Sequence, residues 1–308
     1  MVYGRNVTVW DPSELPPKVI AGCYQHGDIS IATFYNWLQI IMVTNDSWHL
    51  FYTDEHGLQA TQPDPLNPKS TELLNPGHYI VLSIRLQPIP VTLTSERYRP
   101  RTVSKDITGT NRTNAFRERV RARDQRCCVT GQLVYHGSYT GMIACHIFPK
   151  AHKDVWSALE LSRCITDDAN ESDQGPDSIN SIQNGLLMRA DVHAFFDDYQ
   201  FGIDPDDNYK ITEFAFRGGE LNGRQLFTAP HVGVKYRPSP ELLREHFRQC
   251  ILANVRGTGR AAEDFFDEEE VHDLSNTAVW TYRAGGDPDQ PSWIELEVRS
   301  RLFGGGFI

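Results

Sequence analysis

Between Cys128 and Asp204 the chain carries four polar side chains whose types and order suit proton transfer and the holding of a cation. His146 stands between a short apolar run and Pro149, a pattern that predicts a strand ending where the backbone turns away. Asn184-Gly185 predicts a turn ahead of Leu186-Leu187-Met188, and the stretch from Asp191 to Asp197 has helical spacing. On such a helix His193 and Asp197 are i and i+4, so both side chains leave one face a turn apart, in chelating geometry.

A strand ending in histidine, an asparagine at a turn, and a helix with a ligand-type residue nine positions later resemble the HNH endonucleases. The resemblance is carried by Cys128-Val129-Thr130-Gly131, His146-Ile147-Phe148-Pro149, Asn184-Gly185-Leu186-Leu187 and His193-x-x-x-Asp197. It covers roughly Arg117 to Val255 with flanking helices and is closest to the HNH domains found in many fungal proteins. It implies a ββα-metal fold, His146 as general base, Asn184 as the residue that orients it, and a divalent metal on His193 and Asp197. Many HNH enzymes place Asp or His just before the catalytic histidine as a further metal ligand, whereas this chain has Cys145. Thiolate is soft and favours zinc. Either Cys145 packs inward and the expected ion is Mg²⁺ or Mn²⁺, or Cys145 joins the site and Zn²⁺ becomes the alternative.

The chemistry of the residues agrees with those roles. Hydrolysing a phosphodiester needs a water deprotonated in line with the leaving oxygen, and a neutral imidazole suits that task near neutral pH. Developing charge on the phosphate calls for a Lewis acid held by few protein ligands. An asparagine carbonyl can accept an imidazole N–H and fix its tautomer. The substrate expected from the resemblance is nucleic acid, DNA first. Two other readings stay open: a catalytically altered HNH descendant that binds or regulates, and a metal-dependent enzyme acting on a small molecule.

The elements that must position these residues are legible in outline. At 308 residues, with 40% hydrophobic and 23% charged residues, the chain has room for two domains of ordinary globular composition. Its longest apolar run, near Trp37–Val43, is too short to cross a bilayer, and the start lacks a signal-peptide core. The expectation is an intracellular protein, in cytoplasm or nucleus and off the membrane. The six cysteines show no paired C-x-x-C spacing, so reduced thiols are expected. A net charge of −10 disfavours generic nucleic-acid binding, which makes the distribution of charge decisive.

The expected architecture is α+β: a small N-terminal α+β module over 1–88, a linker over 89–110, an HNH core with flanking helices over 111–256, and an acidic, flexible tail over 257–308. Strands are expected near Val7–Val9, Lys18–Tyr24, Trp48–Tyr52 and Tyr79–Ile84, with a helix from Ser30 to about Val43. That order fits one sheet with a helix on one face, a β-grasp-like arrangement being one reading, and suggests a module that binds a protein partner or serves a structural role. The aromatic stripe of its helix reads as core. Arg97 to Arg126 holds ten basic residues against three acidic ones, and Arg117, Arg121 and Arg123 on a helix over Asn111–Arg126 are the candidates for phosphate contact. The second half of the insertion Ala151–Ser181 reads as too polar to pack, and the last core helix is expected from Pro240 to about Asn254.

Overall fold

The computed structural model describes residues 5–101, 111–215 and 219–259. The chain is mixed α+β, and Met1–Gly259 make one compact unit. It opens with β1 (Val7–Asp11), β2 (Lys18–Cys23), α1 (Ile31–Ile41), β3 (Met42–Val43), β4 (His49–Thr53), β5 (Gly77–Leu82) and β6 (Thr92–Leu93). The order β2-β1-β5-β4 forms one sheet in which β1 runs antiparallel to β2 and parallel to β5. Val7 and Val9 are buried and alternate with half-buried Thr8 and Trp10, so period-2 patterning directs them to one face. Ser30 caps α1 by accepting from the Thr33 N–H at 3.1 Å, and Phe34, Trp37, Leu38 and Ile41 are all buried against the sheet. The stripe is core, as its spacing indicates.

The second half runs α2 (Asn111–Asp124), β7 (Met142–His146), α3 (Lys153–Ala158), α4 (Glu171–Gln174), β8 (Gly185–Arg189), α5 (Ala190–Asp197), β9 (Phe201–Asp204), β10 (Lys210–Glu213) and α6 (Pro240–Asn254). Antiparallel β7 and β8 followed directly by α5 are the ββα unit, with His146 opposite Gly185 and Cys145 opposite Leu186. The β9–β10 hairpin buries Phe201, Ile203 and Ile211 under that unit. No helix among the described residues is long and apolar enough to cross a membrane.

Three expectations need correction. The core does not divide at residues 88 and 110. Helix α6 sends Leu242 and Leu243 into the cluster around β7 and β8, and Phe247, Cys250 and Ile251 into the cluster around the N-terminal sheet. Residues 89–101 are a strap along α6 rather than a free linker: β6 pairs with β3, Glu96 pairs with Arg248, Arg99 pairs with Glu245, and Tyr199 donates to the Arg99 carbonyl at 2.8 Å. The polar insertion packs. Asp167 is buried with Arg119 at 2.6 Å and Ser181 Oγ at 2.8 Å, and Gln183 Oε1 accepts the Thr166 and Asp167 N–H groups at 2.6 and 2.9 Å. Polar side chains that satisfy one another can be buried without the cost that isolated ones carry. The remainder of the linker, 102–110, and the tail from 260 lie outside the described residues.

Candidate active site

His146 is the last residue of β7, and its ring is fixed from two directions. Phe116 of α2 stacks on it, with ring centroids 4.0 Å apart and planes 5° apart, and the Asn180 amide oxygen lies 3.1 Å from Nε2. With that oxygen as acceptor, Nε2 carries the proton and Nδ1 is the basic nitrogen. The stack depends on Gly185: a Cβ there would lie 2.6 Å from Val120 Cγ2 and 2.9 Å from the Phe116 ring. The glycine is therefore needed for close approach of α2, with φ in the ordinary extended range, and not for a turn. Loss of hydration lowers the imidazole pKa to about 4; Asn180 and Asp197 oppose the shift, and Lys150 and Arg101 reinforce it. The ring is neutral at pH 7, the form a base requires, though a weak one.

Asn184 does not touch that ring. Its Oδ1 accepts the Phe148 N–H at 2.7 Å, while Nδ2 donates to the carbonyls of Phe148 and Ile179 at 3.1 and 2.9 Å. Its own carbonyl accepts the Ile147 N–H at 2.9 Å. Asn184 thus staples the turn after His146 to the end of the insertion and positions the histidine through the backbone. The orienting role expected of it falls to Asn180 and Phe116.

Helix α5 does bring His193 and Asp197 together, with Nε2 3.0 Å from Oδ2. The other carboxylate oxygen faces Arg101, whose Nε is 2.8 Å away, close but outside hydrogen-bond alignment. Arg101 also donates through Nη1 to the Ile147 carbonyl at 2.5 Å and through Nη2 to the His146 carbonyl at 2.6 Å, and it lies 5.2 Å above the Phe196 ring. Its side chain is only 5% exposed, so this cation is built in. Burial pushes Asp197 upward, but the His193 hydrogen bond and the Arg101 charge prevail and hold it below the usual carboxylate range. Beneath α5, His246 stacks on Phe196 with centroids 3.7 Å apart, and its Nε2 lies 3.1 Å from the Phe196 carbonyl.

Cys145 is not placed as a ligand. It is buried, its thiol donates to the Leu186 carbonyl at 3.3 Å, and burial together with the nearby Asp197 charge raises its pKa far above the ordinary thiol value. A neutral, hydrogen-bonded thiol is not the thiolate that binds a metal. All six cysteines are thiols, as expected.

Of the expected phosphate contacts, Arg123 must be withdrawn. It is buried, grips Asp124 with two bonds of 2.6 and 2.7 Å, and donates to the Ile182 and Gly185 carbonyls at 2.6 and 2.7 Å. Arg117 is 45% exposed beside Glu118, whereas Arg121 is 22% exposed and lies over the Tyr139 ring at 4.6 Å.

A ββα unit with a strand-terminal imidazole and an i, i+4 His–Asp pair defines the nuclease-like class. Residues 127–204, 78 of the 308, match the family described as HNH endonuclease, and this segment is an HNH domain. No curated protein and no solved structure matches the chain. HNH domains are generally metal-dependent. The donor set here does not fit a divalent ion as it stands, because Asp197 is already shared between His193 and a guanidinium and Cys145 is a protonated thiol. Among the described residues no three His, Cys, Asp or Glu side chains converge as ligands.

Proposed function

We propose that the HNH segment hydrolyses phosphodiester bonds in nucleic acid, with DNA as the substrate and His146 drawing a proton from the attacking water. The supporting observation is the state of that imidazole: neutral at pH 7, ring held by Phe116, Nε2 engaged by Asn180, and Nδ1 left basic. Arg117 and Arg121 contribute phosphate contact from α2, which sets the register of the strand without reading sequence. An intracellular setting and a protein partner for the N-terminal sheet belong to the same proposal. Its central parallel β1–β5 pair favours a β-grasp-like reading.

The test is cleavage of supercoiled plasmid by the full chain with Mg²⁺, Mn²⁺ or Zn²⁺ added separately. Nicking or linearisation that falls about 10²- to 10⁴-fold in His146→Ala supports the reading. Absence of cleavage with all three ions, or cleavage indifferent to His146, refutes it. The second reading, a nuclease-derived binding protein, is favoured by the Arg101–Asp197 contact and is distinguished by DNA binding without cutting.

A further inference from the structure

We propose that Arg101 is a resident cation of the HNH site, standing in the electrostatic place of a divalent ion at the Asp197–His193 pair and keeping such an ion out. The inference rests on reading residues 127–204 as an HNH site. A simple tether would need only the two carbonyl bonds that Arg101 makes to His146 and Ile147. The guanidinium does more. It joins the end of β7 to the last turn of α5, and its Nε faces the carboxylate oxygen that His193 leaves open. An ion approaching the partly exposed Asp197 meets a like charge a few ångströms away on a guanidinium that is itself only 5% exposed, so the repulsion is incompletely screened. Two protein ligands with water would suffice for Mg²⁺ or Mn²⁺, which keep much of their hydration shell, so the obstacle is the arginine and not the number of donors.

The probe is Mn²⁺ alone, its binding to the full chain followed by electron paramagnetic resonance, with folding checked by near-ultraviolet circular dichroism. Arg101→Gln should tighten Mn²⁺ binding by about tenfold or more, from removal of one nearby positive charge. Adding Asp197→Asn should abolish that gain, and Arg101→Lys, which keeps the charge, should bind as weakly as the parent chain. Folded Arg101→Gln with unchanged Mn²⁺ affinity overturns the proposal. A separate measurement needs no Arg101 variant: Asp197→Asn in the parent chain should leave Mn²⁺ binding unaltered, and a loss there overturns the proposal too. These outcomes are read from the metal and not from DNA, so they stand apart from whether the plasmid is cut.

Discussion

Replacing His246 by glutamine should lessen the dependence of stability on pH between 7 and 5, leaving the share that the buried His146 contributes. The imidazole is buried among Phe196, Tyr199 and Cys250, and loss of hydration, reinforced by the Arg101 charge, pushes its pKa down to about 3; the Phe196 carbonyl and Asp197 oppose the shift. In the unfolded chain the same group titrates near its ordinary 6.5. Between those values the unfolded state binds a proton and the folded state does not, so stability rises with pH. The contribution is fully present above 6.5 and is lost as pH falls towards the folded value. From pH 7 to pH 5 the unfolded imidazole goes from mostly neutral to mostly charged, which costs about 2 kcal/mol of folding free energy. Asp197, Asp167 and Glu96, held below the usual carboxylate range, stay ionised across this window and add little to the slope. Urea denaturation at pH 7, 6 and 5 measures the slope in each chain. The glutamine chain should start less stable, because the stack on Phe196 is lost, but fall by about 2 kcal/mol less. Equal slopes in the two chains would refute the assignment of a neutral buried imidazole.

Gly185→Ala should cost about 1–3 kcal/mol in urea denaturation, because the added methyl meets Val120 and Phe116 inside van der Waals contact. It should also displace Phe116 from His146, seen as an altered histidine proton shift by NMR. Arg123→Met should cost about 3–5 kcal/mol, because Asp124 is left buried and charged without its partner. Arg117→Ala should leave stability within about 0.5 kcal/mol while weakening low-salt DNA binding. Asn180→Ala should lower cleavage about 10- to 100-fold by freeing the His146 ring, with Asn180→Asp distinguishing lost orientation from altered charge.

The parts of the site that were legible are those whose partners lie close in sequence. The helix carrying His193 and Asp197 and the strand ending at His146 follow from local period and turn chemistry. Arg101 and Asn180 reach the histidine from 45 and 34 residues away, and no spacing rule links them to it. A clue to Asn180 existed in its place four residues before Asn184, but only the fold shows which amide faces the ring. Arg123 is not legible as a core residue because charge in a sequence carries no depth: a helix of alternating arginines looks wet, yet Asp124 and three backbone carbonyls bind one of them. The packing of the insertion is hidden for the related reason that composition does not report mutual satisfaction: Gln183 accepts the Asp167 N–H, Gln174 donates to the Asp167 carbonyl, and Ser181 donates to the Asp167 carboxylate. The aromatic face of α1 was legible because burial of one face at helical spacing leaves a plain record.

Helix α6 has a consequence for how the chain can be divided. Because one of its ends roofs the HNH half and the other roofs the sheet, a fragment beginning near residue 111 would keep His146, Asn180, His193 and Asp197 but lose Arg101, and would present Phe247, Ile251 and Leu252 bare to water. The two halves are thus tenants under one beam. Inheritance, transplantation or engineering of the HNH half by itself would require a new apolar cover for that exposed flank, or a rewritten helix.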